Sequence, residues 1–442
     1  MLVGGPMALV ALFLLQANAQ IEAGARIETR VGEAPTGTQR VGSGQTGQTV
    51  TVAAEQAQVM VVATPSLRLH WLADIDDLQA DSSSRILWRP IPLLHSRPLF
   101  LETFGVTHIR RPSGRSSWRL DLRGTYGEQD YTSLSQQFAN QPALPISTTM
   151  FMVNGTAEAL WRSSRRTTCT LQLGAVHRQS LDGQTTASEA SGTTAFTPLP
   201  TQTTVTATPA LLFAITRHST VQVSVPVRDY DTRGIVQATS QSGQLNVVSV
   251  QPQLSLLEDL TRRHQLHLLA GFTYAAVLHG SNTDLGYHFT PLTQVDLKSH
   301  LYRARTSAVD SSVGAGTSYY VDPVLGMGVW RGIAQASVNA QMGFHWSAGA
   351  HAAFSTDITA PPAVAGGPPV DGTLAAADFS VRYRWPNLLV AEFGGRFSER
   401  APRLSSPDFT WHERELWAFL SLYAATRVSW TTARSPSNAI QM

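Results

Sequence analysis

From about residue 48 to residue 430, apolar and polar positions alternate with a period of two, the mark of strands with one apolar face. In the run MFMVNGTAEALW, Phe151, Val153, Gly155, Ala157, Ala159 and Trp161 share one face, and Asn154, Thr156 and Glu158 stand on the other. The same alternation carries Cys169, Leu171, Leu173 and Ala175, then Leu266, Leu268, Ala270, Phe272, Tyr274, Ala276 and Leu278. It returns in Val338, Ala340, Met342, Phe344, Trp346 and Ala348, and closes on Leu416, Ala418, Leu420, Leu422, Ala424, Thr426, Val428 and Trp430. An average soluble strand has about five or six residues, and these runs are longer. They reach the roughly 9–11 residues that a tilted strand needs to cross a bilayer. Length selects a membrane.

The connections alternate as well. Short segments at 162–166, 216–220, 258–264, 331–335 and 386–387 are interleaved with long polar ones at 127–148, 179–203, 279–317 and 351–373. Short periplasmic turns and long extracellular loops in that order predict consecutive hairpins of a barrel. A repeated unit supports it: Val61-Val-Ala-Thr-Pro65 matches Val205-Thr-Ala-Thr-Pro209, and Val250-Gln-Pro252 and Val321-Asp-Pro323 repeat its core. Each copy is expected to open a strand running to a short turn, with its proline near the extracellular rim, where pairing ends. Trp71, Trp161, Trp330, Trp385 and Trp430 are predicted at the turn end of descending strands, and Trp118 at the same level. Tyr126, Tyr230, Tyr274, Tyr319 and Tyr320 fall toward the opposite rim, giving the two aromatic girdles of a bilayer interface. Twelve strands follow from 116–127 onward, and 57–72, 85–93 and 99–109 are further candidates. The predicted fold class is all-β, a transmembrane antiparallel up-and-down β-barrel of 14–16 strands over residues 48–430.

At the level of architecture, the pattern over 48–430 resembles a Gram-negative outer-membrane β-barrel of porin size. Trp430 resembles the terminal aromatic of that class's assembly signal, although TTARSPSNAIQM follows it, so the signal is internal and 431–442 reads as a tail. The resemblance implies an outer-membrane location, a surround of membrane lipid and lipopolysaccharide, assembly by the barrel-assembly machinery, and small solutes as cargo. The N-terminus fits an exported protein. Met7 to Leu15 is a short apolar run, and Ala17 and Ala19 frame an A-x-A cleavage site, so 1–19 is expected to be a signal peptide. Residues 20–47 then read as a flexible tail or a lumen insert.

Composition narrows the partners. Only 14% of the 442 residues are charged, and a single lysine, Lys298, stands beside 32 arginines. An average soluble domain has about 25% charged residues. A net charge of +2 without basic clusters on one element gives no footprint for nucleic acid. One cysteine, Cys169, excludes an intrachain disulfide and a thiolate metal cluster.

With the apolar positions toward lipid, the lumen receives the alternates. The candidate lumen-lining residues are Arg68, Arg119, Asp121, Arg123, Glu158, Arg178, Arg228, His345, Asp378, Arg382, Arg384, Glu392, Arg396 and Arg427. Guanidinium groups recognise carboxylate, phosphate or sulfate, and rings of arginine bias a pore toward anions. Cross-strand Arg–carboxylate ladders that merely satisfy a polar interior are the other reading of the same residues. His345-Trp-Ser347 resembles the His-x-Ser pair of barrel-borne lipases, but Ala348 follows where Asn is usual. A structural role is expected, with no catalytic residue. Asp74, Asp76 and Asp77 lack the glycine turn and later Glu of an EF-hand and read as a solvated turn. No cofactor, metal site or enzymatic motif is predicted. The expected function is a passive pore for small polar or anionic solutes, narrowed by the segment 279–317. A polysaccharide export conduit and a non-conducting scaffold presenting loops stand as alternatives.

Overall fold

The computed structural model describes residues 18–41, 48–51, 57–88, 98–130, 147–181, 201–236, 242–279, 288–322, 327–358, 372–386, 389–402 and 413–430. Every element among them is a β-strand, and all pairings are antiparallel. The wall begins with β1 (Asn18–Val41), β2 (Ala57–Leu72), β3 (Asp76–Trp88), β4 (Leu99–Ser113) and β5 (Ser116–Asp130). It continues through β6 (Ser147–Arg162), β7 (Thr167–Ser180) and β8 (Thr201–Ala214). Strand β9 is interrupted, Ser219–Ser224 then Val227–Val236, and so is β10, Ser242–Val250 then Gln253–Asp259. The remainder are β11 (His264–His279), β12 (His288–Arg303), β13 (Ala308–Asp322), β14 (Met327–Met342), β15 (Trp346–Asp357), β16 (Gly372–Arg384), β17 (Leu389–Pro402) and β18 (Glu413–Trp430). Residues 48–51 pair only with the far end of β1.

The sheet closes on itself. Strand β1 pairs with β2 on one side (Ala19 with Trp71, Val31 with Val59) and with β18 on the other (Ala19 with Trp430, Val31 with Ala418). Closure gives each strand two neighbours and removes the exposed edges that would cost several kcal/mol per unpaired group in hydrocarbon. The wall therefore has eighteen strands among the described residues. The all-β, up-and-down transmembrane class stands, while the predicted count of 14–16 was low.

The missing strands lie where polar content masked the alternation. Residues 20–47, expected as a tail or insert, supply β1, and Gln20 is already paired with His70 and Ser429. Ile21, Ala23, Ala25, Ile27 and Val31 alternate with Glu22, Arg26, Glu28 and Arg30 there. The segment 279–317, expected as a constricting loop, contains most of β12 and β13, so it belongs to the wall. Residues 331–335 are mid-strand in β14 and not a turn, which puts Trp330 toward the opposite end from Trp71 and Trp161. The apolar run at 7–15 and residues 431–442 lie outside the described residues.

Two faces follow from the register. Large apolar side chains are exposed on the outer face, among them Ile27 and Val31 on β1, Phe104 and Val106 on β4, Trp118, Leu120 and Leu122 on β5, and Leu416, Leu420 and Leu422 on β18. In water such a surface would be untenable; against acyl chains it is required. Trp71, Trp118, Trp161, Trp346 and Trp385 sit at the end that holds both described termini and the turns at 73–75, 114–115, 163–166, 215–218, 260–263, 304–307 and 343–345. By the rule for such barrels this is the periplasmic end. Tyr126 and Tyr274 are exposed toward the other end, as a girdle requires. Tyr230 and Tyr319 are instead buried in an apolar cluster with Leu245, Val247, Ala275 and Leu292.

Proline sits deeper than the rim. Pro65 opposes Ala25 in mid-wall and interrupts only the pairing of β2 with β3. Pro209, Pro226, Pro252 and Pro291 fall on β8, on the breaks in β9 and β10, and on β12. A proline lacks the N–H but keeps its carbonyl, and these carbonyls stitch the line: Val225 N–H donates to Pro209 (3.1 Å), Gln251 N–H to Pro226 (2.8 Å), Phe272 N–H to Pro252 (3.2 Å) and the Thr317 hydroxyl to Pro291 (3.0 Å).

Candidate functional site

The inner face is the candidate site. The register sets Arg68, Arg119, Asp121, Arg123, Glu158, Arg178, Arg228, Asp378, Arg382, Glu392, Arg396 and Arg427 on the strand face opposite the exposed apolar residues. Arg384 shares that face at the last residue of β16. His345 is different. It lies in the turn between β14 and β15, where its Nδ1 donates to the Arg384 carbonyl at 2.7 Å and its ring lies against Tyr383. Among the described residues no hydrogen bond joins it to Ser347. It is a turn clasp and not a lumen-lining side chain.

One row of residues runs around the wall at a single level of pairing: Arg427, Glu22, Arg68, Asp81, Gly105, Arg123. Charges alternate along it until Gly105, where a Cβ would fall 2.9 Å from Asp81 Oδ1. The glycine leaves room for that carboxylate and offers Arg123 nothing. Arg427 grips Glu22 through Nη2 at 2.6 Å and Nε at 3.1 Å, and the Tyr423 hydroxyl donates to the other Glu22 oxygen at 2.9 Å. Further up the wall, Arg26 reaches both Glu28 (3.0 Å) and Glu392 (3.4 Å), Arg382 also holds Glu392 (3.2 Å), and Arg30 pairs with Glu28. On β5 the Arg119 Nε lies 2.6 Å from Asp121, which also accepts from the Thr107 hydroxyl at 2.6 Å. This sector is the predicted ladder, extended by Glu22, Arg26, Glu28, Arg30 and Asp81, which the sequence reading missed.

The opposite sector uses histidine. His267 pairs with Asp296 (3.2 Å), His300 with Asp310 (2.5 Å) and His351 with Asp378 (3.3 Å), so β11 to β16 carry carboxylates held by imidazole. Asp296 also accepts from Gln294. Arg68, Arg123, Arg228, Arg396 and Lys298 have no ion pair among the described residues; Asp81 and Glu158 are the inner carboxylates in the same position. The unneutralised side chains are therefore mainly cations. Among the described residues no group of three or more His, Cys, Asp or Glu is placed to hold a metal. Asp76 and Asp77 engage His108 and His70, each at 2.9 Å.

Toward the extracellular end the inner face changes character. Met60, Val62, Leu87 and Trp417 form a buried apolar cluster flanked by Leu99, and the cluster around Tyr230 lies on β9 to β13. Between β14, β15 and β16, fully buried Asp357 accepts from Arg331 Nε (2.7 Å) and from the Gly372 N–H (2.9 Å). A polar, charge-bearing lower wall is thus capped by apolar packing.

No protein-family model and no curated protein matches the chain. Solved structures do. The FrpB iron transporter of Neisseria meningitidis (F3-3 variant) aligns over 93% of this chain and 81% of its own, at 9% identity and a TM-score of 0.47. Pseudomonas aeruginosa OpdQ aligns over 94% and 98%, at 11% identity and a TM-score of 0.41, and OccK8 (OprE) of the same organism over 93% and 98%, at 10% and 0.41. What this chain does rests on its own residues.

Proposed function

We propose that the chain is an outer-membrane channel that lets small polar solutes pass by diffusion and favours anions. The observation that carries this is the set of inner-face cations, Arg68, Arg123, Arg228 and Arg396 above all, left without ion pairs among the described residues. A side chain added only to satisfy a polar interior would end in a partner, as Arg427 does on Glu22. An unpartnered guanidinium in a confined aqueous path attracts a passing carboxylate or phosphate and releases it, since exposed contacts of this kind are weak.

The buried apolar clusters around Trp417 and Tyr230 favour a second reading, a scaffold whose lumen is filled at the extracellular end. Swelling of liposomes holding the refolded protein separates the two. Gluconate, glucose and glucosamine are close in size and differ in charge, and the channel reading expects their entry rates to fall in that order. Absence of swelling with all three supports the scaffold, and fastest entry of glucosamine contradicts anion preference.

A further inference from the structure

A second set of arginines stands outside the lumen, in the periplasmic turns. Three consecutive periplasmic turns, between β4 and β5, β6 and β7, and β8 and β9, read RRPSGR, RSSRR and ITRH. They hold Arg110, Arg111, Arg115, Arg162, Arg165, Arg166 and Arg217, all exposed, and no Asp or Glu. Arg110 lies 3.9 Å from Asp76 of the neighbouring turn, and the other six make no ion pair among the described residues. The turn between β2 and β3 is acidic by contrast, with Asp74, Asp76 and Asp77, and the turn between β10 and β11 offsets Arg262 and Arg263 with Asp259. The turn between β12 and β13 is basic again, with exposed Arg303 and Arg305 and no Asp or Glu. The positive charge is therefore an arc, densest over β4 to β9 and reaching β13, that lapses at the acidic β2–β3 turn and at the β14–β15 turn, which has no arginine. A device for guiding solutes would surround the mouth.

Its height is fixed by its neighbours. Trp118 and Trp161, 64% and 59% exposed on the outer face, mark the hydrocarbon boundary, and Trp161 pairs with Ser116. Arg115 lies three residues beyond Trp118, about 10 Å along the strand direction, and Arg165 and Arg166 lie beyond Trp161 in the β6–β7 turn, whereas Arg162, the last residue of β6, is on the strand face opposite Trp161. Long guanidinium side chains at this level extend into the headgroup layer, where planar bidentate bonding suits phosphate. We infer that this arc is a binding surface for the phosphate groups of anionic phospholipid in the periplasmic leaflet, which it gathers on one side of the barrel.

The test uses the full refolded chain in phosphatidylcholine vesicles with trace spin-labelled phosphatidylglycerol or phosphatidylcholine, and reads the motionally restricted lipid fraction. The expected result is a larger restricted fraction for the phosphatidylglycerol label at low salt. The difference should disappear at molar salt, where screening shortens to about 3 Å. It should also disappear in the Arg115→Gln, Arg165→Gln, Arg166→Gln variant and persist in the corresponding triple Lys variant. If the Gln variant does not fold, the salt series on the unmodified chain still decides. Equal fractions for the two labels, or a preference that survives both salt and substitution, would overturn the inference. So would selective capture of an acidic polypeptide without lipid preference.

Discussion

Two glycines with positive φ differ in what surrounds them, and the difference sets what a side chain would do. Gly127 on β5 has φ 137° and its would-be Cβ runs into the Phe100 carbonyl, whereas Gly343 in the β14–β15 turn has φ 67° and open space around it. Strained backbone of this kind costs on the order of 1–3 kcal/mol for a non-glycine residue. Gly127→Ala is expected to cost the upper end of that range plus a displaced β4, and Gly343→Asn close to nothing, because Asn tolerates the left-handed region. Urea midpoints of the two refolded variants check this, and equal losses would contradict it. Asp357 is the other sensitive position. Removing one partner of a buried ion pair typically costs about 3–5 kcal/mol, so Asp357→Ala should lower the midpoint far more than Asp121→Ala, whose carboxylate is partly exposed beside Arg119. Similar midpoints for the two would show that the Arg331 clasp is not structural.

At the scale of elements, β1 decides whether the barrel exists. It bridges β2 and β18, and without it both strands become edges. A chain that begins at residue 48 and carries its own export signal should fail to give a compact, heat-modifiable band on a gel, and a compact band would show that β18 can close on β2 directly. The period of two made most of the wall legible, since lipid demands an apolar side chain at every second position of a spanning strand. Legibility failed where that demand is met by small or weakly apolar residues. In β1 the outer positions include Ala23, Ala25 and Thr29, and the glutamates and arginines between them gave the segment the composition of a tail. In β12 and β13, Pro291, Thr293, Ser311 and Thr317 dilute the outer face. Lumen residues were legible only where the strand had been recognised, so Arg68 and Arg396 were found and Glu22 and Asp296 were not. His345 misled for another reason: alternation carried through a turn, and periodicity alone does not mark where a strand stops.

For the whole molecule, the two faces divide the work. The outer face solvates the barrel in acyl chains, and the inner face carries paired arginines and carboxylates from β16 through β1 to β5 and histidine–aspartate pairs along β11 to β16. The low charge count of the sequence follows from this division, because lipid-facing positions have no use for charge. The residual positive charge in the lumen is what distinguishes an anion-favouring channel from a wall that is only polar. The most direct test is the reversal potential of single channels in a planar bilayer under a tenfold KCl gradient. The account predicts stable conductance with a potential of the sign for chloride, moved toward zero by the Arg68→Gln, Arg123→Gln double variant. Absence of conductance, or a potential of the sign for potassium that the double variant leaves unchanged, would contradict it.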